Sequence, residues 1–146
     1  MIAADIMTDN PRAMRATDTV SQAVDALQTL NVRHMPIVDE GDHLIGMLSD
    51  RDLGPLMRTF IDGAEVDNMV VPLSERPVGD LMSGDVLSVE LDADLTEVIE
   101  LMVDERVGAV PVVDEADHLR GIISYVDVLR ALGSSGRGVK RARPHA

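Results

Sequence analysis

The chain repeats itself. Residues 46–53 read GMLSDRDL and residues 121–128 read GIISYVDV. Gly46 and Gly121 thus open the same pattern 75 positions apart: Gly, two apolar residues, Ser, two variable residues, Asp, one apolar residue. At that offset the chain falls onto itself without a gap. Asp5-Ile6-Met7 meets Asp80-Leu81-Met82, Val32 meets Val107, and Pro36 meets Pro111; MPIVDEGDHLIGMLS from Met35 meets VPVVDEADHLRGIIS from Val110. A duplication at one fixed period constrains the fold more than any composition does. Whatever residues 1–60 build, residues 78–133 build again, and a unit of about 50 residues buries too little surface to stand alone. The two copies are therefore expected to pack sheet to sheet as one pseudo-symmetric module, with equivalent edges facing each other across a cleft.

Within each copy the hydrophobic pattern predicts the same mixed α+β plan. A short extended segment comes first, around Arg12 to Ala16 and Val86 to Leu91. A helix follows: Val20, Ala23, Val24, Leu27 and Leu30 share one helical face, as do Leu95, Val98, Ile99 and Met102. Both helices open with capping-box spacing, Thr19 with Gln22 and Asp94 with Glu97. Two apolar strands separated by an acidic turn read as a hairpin, Met35–Val38 with Leu44–Leu48 and Val110–Val113 with Leu119–Ile123. A last helix starts near Ser49 and Ser124, with Leu53, Leu56, Met57 and Phe60 on one face in the first copy. The unit is β-α-β-β-α, twice. Residues 61–77 read as a linker, and residues 134–146 as a basic, disordered tail carrying Arg137, Lys140, Arg141 and Arg143.

Composition narrows the chemistry. Apolar residues make up 45% of the chain, yet Phe60 and Tyr125 are its aromatic residues, so the core must be aliphatic and Met. With no cysteine there is no disulfide, thiolate metal site or cysteine nucleophile. No Gly-x-Ser-x-Gly, phosphate loop or His-Glu-x-x-His occurs, and no catalytic set is expected. A net charge of −13 repels nucleic acid and anionic membrane on average. Nothing resembles a signal peptide or a membrane span, which places the protein in the cytoplasm as an expectation. His43 and His118 are repeat equivalents; a metal site would require them to converge, and the simpler reading is an exposed hairpin residue in each copy. The methionines read as core or interface packing.

The repeated Ser-x-x-Asp has two readings. Alone, it is a capping box, in which the Ser oxygen accepts an orphan backbone N–H and the acid supports it. The same helix start also offers free N–H groups and a partial positive charge to a phosphate, while an Asp on the first turn can accept from two neighbouring hydroxyls of a sugar. The Gly three residues earlier would let the strand approach a planar group.

The Asp-Ile-Met-Thr opening, the Met-Pro-Ile-Val-Asp strand with its acidic turn, and Gly-x-x-Ser-x-x-Asp before the last helix, all in order and twice, resemble cystathionine-β-synthase (CBS) domains. Two such domains in tandem form a Bateman module, and the resemblance runs from about Ala4 to Leu132. It implies a pseudo-twofold pair that binds adenosine-containing ligands in the clefts between repeats: AMP, ADP or ATP, S-adenosylmethionine or NAD, with Mg2+ only alongside ATP or ADP. It implies ribose and phosphate contacts from Ser49 and Asp52 in one copy, and from Ser124 and Asp127 in the other. The residues walling the base and meeting phosphate would be Arg33, His34 and Met35, and Val107, Gly108 and Ala109. The first copy adds Arg51 where the second has Val126, so the first site is expected to carry the positive charge and Asp52 to matter more than Asp127. The resemblance further implies a disc-like homodimer through the last helices, and an effector protein as the output. The alternatives are a ligand-free dimeric interaction protein, or a nucleic-acid-associated factor acting through the basic tail.

Overall fold

The computed structural model describes residues 1–52, 73–82 and 84–133. The expected apolar face Leu53, Leu56, Met57 and Phe60, most of the linker, and the basic tail lie outside these residues. In chain order the elements are α1 (Ala3–Ile6), β1 (Thr8–Asp9), β2 (Met14–Arg15), α2 (Val20–Leu30), β3 (His34–Val38), β4 (Leu44–Ser49), β5 (Val89–Glu90), α3 (Leu95–Glu105), β6 (Ala109–Val113), β7 (Leu119–Ser124) and α4 (Tyr125–Leu132). Residues 50–52, directly after β4, are also helical. The hairpin strands run one residue longer at the cleft end than the apolar pattern predicts, taking in His34, Ser49, Ala109 and Ser124.

Two sheets result. One has the order β2-β3-β4, with β2 parallel and β4 antiparallel to the centre strand; the other has the order β1-β7-β6-β5. Register repeats with the sequence: His34 faces Ser49 in the first hairpin, Ala109 faces Ser124 in the second, and both carry an irregularity one residue before the acidic turn. The helices bury the faces their periodicity marks. Val20, Ala23 and Leu27 of α2 pack on Met35, Ile37 and Leu48; Val98 and Met102 of α3 pack on Val110, Val112 and Ile123. Thr19 and Gln22 form the expected capping box. Asp94 and Glu97 do not: the Asp94 side chain makes no cap bond, and the first helical N–H, of Leu95, donates to the Met1 carbonyl at 3.0 Å.

The packing units are not the contiguous repeats. Each repeat sends its opening segment into the other. Ala3 is fully buried in the core of the second repeat, with Ile6 and Met7 beside it, and β1 pairs antiparallel with β7. Val78 is fully buried in the first core, flanked by Leu81 and Met82. The backbone bonds of this exchange are themselves repeat equivalents. Ala3 and Ala4 N–H donate to the carbonyls of Ala93 and Leu91, while Val78 and Gly79 N–H donate to those of Asp18 and Ala16.

A second junction lies at the hairpin turns. The N–H groups of Leu44 and Leu119 donate to the carbonyls of Asp117 and Asp42, each at 3.0 Å. Between them the imidazoles of His43 and His118 stack. The hairpin histidines therefore do converge, contrary to the expectation of two separate exposed residues. Each is clamped to its own turn instead: Asp39 accepts from the Gly41 and His43 N–H groups, Asp114 from those of Ala116 and His118, and each carboxylate also meets the Nδ1 of its histidine. Among the described residues no cluster of three or more such side chains is placed to hold a metal ion.

Candidate functional site

Two clefts open between the repeats, and the local chain geometry explains what lines them. Each long helix ends on a left-handed residue, Asn31 with φ 52° and Arg106 with φ 54°. That conformation turns the backbone sharply and stops the helix. The segments 31–34 and 106–109 then run along the cleft before entering β3 and β6. Each is tied to the start of the last helix in its own repeat: Asp50 N–H donates to the Arg33 carbonyl at 2.9 Å, and Tyr125 N–H to the Gly108 carbonyl at 3.1 Å.

The clefts cross the repeats. One, of about 420 Å³, joins Ser49, Arg51 and Asp52 of the first repeat to Asp85–Leu87 and Arg106–Ala109 of the second. The other, of about 540 Å³, joins Ser124, Asp127 and Arg130 of the second repeat to Pro11, Arg12 and the segment Asn31–Pro36 of the first. Both volumes fall in the range of small-molecule sites. All eleven residues singled out from the sequence border a cleft. Ser49, Arg51, Asp52 and Val107 line the smaller, Met35, Ser124 and Asp127 the larger, and Arg33, His34, Gly108 and Ala109 lie on both.

The crossing corrects the expected charge distribution. Arg33 and His34 were expected to serve Asp52, leaving Asp127 with the uncharged Gly108, Ala109 and Val126. They do line the smaller cleft with Asp52, but they also border the larger cleft with Asp127, where Arg12 and Arg130 stand as well. The reason is topological, since a segment that ends a helix in one repeat faces the Ser-x-x-Asp of the other. Arg12, Arg130, Arg106 and Asp85 to Leu87 escaped the sequence reading. The repeat register held the signal for most of them: Pro11 and Arg12 are the equivalents of Val86 and Leu87, and Asn31 of Arg106.

Both Ser-x-x-Asp motifs are formed capping boxes. Asp52 N–H donates to Ser49 Oγ at 3.3 Å, and Asp52 Oδ2 accepts from the Ser49 N–H at 2.9 Å and hydroxyl at 3.1 Å. At Ser124 and Asp127 the corresponding distances are 3.3, 2.8 and 3.0 Å. In each motif Asp Oδ2 is the oxygen engaged, and Oδ1 takes no bond from a described residue. Capping therefore fixes the carboxylate without using it up.

His34 and Gly108 meet where the clefts adjoin. A Cβ on Gly108 would lie 3.4 Å from His34 Cε1 and 3.8 Å from Tyr125 Cδ1, ordinary contact distances that place both rings beside this segment. Burial holds the His34 imidazole below its ordinary pKa of 6.5; Arg33 and Arg51 push the same way, against Asp50 and Asp52. Gly121 does something other than expected. A Cβ there would collide with the Met7 side chain and lie 3.0 Å from the Thr8 carbonyl, so this glycine admits the exchanged strand β1 rather than a ligand.

Known proteins agree with this geometry. The family model described as CBS domain matches residues 3–53 and again 78–134. The inosine-5'-monophosphate dehydrogenase of Methanocaldococcus jannaschii is 28% identical over 126 residues; the match takes in 86% of this chain and 21% of that enzyme. The chain thus spans about a fifth of that relative, and 57% of an uncharacterized Methanopyrus kandleri protein that is 29% identical. Among solved structures, CBSX2 in complex with AMP superposes with a TM-score of 0.77 at 27% identity, covering 91% of this chain and 96% of that one.

Proposed function

The chain belongs to the CBS-domain family, and from that premise we propose that it is a regulatory module that binds an adenosine-containing ligand in the clefts between its two repeats. The observation that carries this reading is the crossing. Each cleft takes its Ser-x-x-Asp from one repeat and is lined by the pre-strand segments of both. A ligand seated in either cleft touches both halves and favours the arrangement that holds them together. It shifts a population by its differential affinity for the arrangements. The reading assigns a ribose hydroxyl to the unengaged Oδ1 of Asp52 or Asp127. It assigns the base to Met35, Val107 and Ala109, and phosphate to Arg33, His34, Arg51 and the helix starts at Ser49 and Ser124. AMP, the ligand of CBSX2, leads the candidates, with ADP, ATP, S-adenosylmethionine and NAD behind it; Mg2+ would enter only with a di- or triphosphate.

The role is regulatory rather than catalytic. The output would be an effector protein or a changed homodimer. Leu129 and Leu132, each 60% exposed on α4, provide an apolar surface for a second copy. The test is thermal unfolding of the full chain against AMP, ADP, ATP, GTP, S-adenosylmethionine and NAD. A ligand at 100 times its dissociation constant adds about 2.7 kcal/mol, a rise of about 5–10 °C at this size. A rise with adenosine compounds and none with GTP is expected. No rise with any of them would leave the motifs as caps alone and the reading without a ligand.

A further inference from the structure

Resting on the adenosine reading, we infer that the two clefts are built for different ligands. The Ser124/Asp127 cleft takes a phosphate-bearing adenosine ligand, gripped by Arg12 and Arg130. The Ser49/Asp52 cleft takes an adenosine compound whose 5′ substituent is uncharged or cationic.

The repeat register makes the comparison residue by residue. At two equivalent pairs the larger cleft holds a cation and the other repeat does not, Arg12 against Leu87 and Arg130 against Pro55; the smaller cleft answers with Arg51 against Val126 and Arg106 against Asn31, and Arg33 lies on both. At two further pairs the smaller cleft holds an acid where the equivalent is neutral, Asp50 against Tyr125 and Asp85 against Asn10. The larger cleft therefore sets three arginines against a single carboxylate, Asp127, among its described residues. The smaller sets Arg51, Arg106 and its share of Arg33 against Asp50, Asp52 and Asp85.

A phosphate entering the smaller cleft meets as many anions as cations. In the larger cleft it meets an excess of guanidinium groups, whose planar forks suit phosphate oxygens. Arg12 and Arg130 approach from different repeats, one from the segment before β2 and the other from α4 one turn past Asp127. A phosphate held by both would close the larger cleft, whereas a sulfonium or amine at the 5′ position would find Asp50 and Asp85 in the smaller.

Calorimetric titration of the full chain with AMP, ADP, adenosine and S-adenosylmethionine tests this. All four arginines to be replaced are exposed, so the fold should survive, and unfolding of each unliganded variant checks it. Each lost charge-assisted contact is worth about tenfold or more in affinity. Arg12→Gln with Arg130→Gln should weaken AMP and ADP at least tenfold while adenosine moves less than threefold, and should cost AMP far more than Arg51→Gln with Arg106→Gln does. Asp50→Asn with Asp85→Asn should weaken S-adenosylmethionine and spare AMP. AMP binding that survives the Arg12/Arg130 pair, or that falls more with the Arg51/Arg106 pair, overturns the inference and leaves the adenosine reading standing. No binding of any adenosine compound to the unaltered chain overturns both.

Discussion

The imidazole of His43 stacks on that of His118 with ring centroids 4.5 Å apart and planes 22° from parallel. The two residues are repeat equivalents, and their backbones form an antiparallel bridge. The pair therefore marks the pseudo-twofold relation of the halves at the hairpin turns. A double-mutant cycle with His43→Ala and His118→Ala should yield a coupling of about 0.5–1 kcal/mol, read by urea unfolding. Strict additivity would mean the rings touch without helping each other.

Gly121 answers to strand β1. Gly121→Ala should cost about 1–3 kcal/mol, because the Thr8 carbonyl in its way is backbone and cannot swing aside. Gly84→Ala is the matched control, since nothing lies within 4 Å of its added carbon. Equal melting temperatures for the two variants would contradict the tight seating of β1.

The caps predict a contrast at one position. Ser124 is extended, with φ −95° and ψ 165°, and its oxygen caps the Asp127 N–H. Ser124→Ala should cost about 1 kcal/mol and Ser124→Gly only a few tenths. The measurement is unfolding without ligand. A ligand contact alone would leave the unliganded stability of both variants untouched.

His34 sets a pH dependence. Its folded pKa lies below 6.5, through burial first, so between the two values the unfolded chain holds more protons than the native one. Its contribution to stability is complete above pH 6.5 and is lost as the pH falls through the lowered folded value. Arg33 and Arg51 reinforce that direction, while Asp50 and Asp52 oppose it. His34→Gln should flatten this part of the stability–pH curve. The separate acid limb stays: the N–H groups of His43 and His118, winning over partial burial at Asp114, hold Asp39 and Asp114 below the usual 3.8. A curve unchanged by His34→Gln would mean that His34 is as well solvated folded as unfolded.

Much of this was legible in the sequence because the repeat reports on itself. The 75-residue offset located both helices, both hairpins and both Ser-x-x-Asp motifs, and all eleven candidate residues border a cleft. What could not be read was which half faces which. Periodicity describes a face but not its partner, so Met7 and Met82 were recognisable as apolar equivalents without any sign that each packs in the opposite core. The same gap displaced the charges, since Arg33 is near Asp52 in sequence and yet also faces Asp127 across the larger cleft.

The exchanged openings also order events in time. During synthesis Ala3 and Thr8 emerge more than 100 residues before β7, at Leu119–Ser124, which completes their places in the second core. The first repeat likewise lacks Val78 until synthesis has passed its own last helix. The opening segment of the module is thus among the last to dock, over a contact that spans most of these residues, and such long closures slow folding. Until then Ile6 and Met7 lack the core they pack in, so the module should become protease-resistant in one late step rather than repeat by repeat.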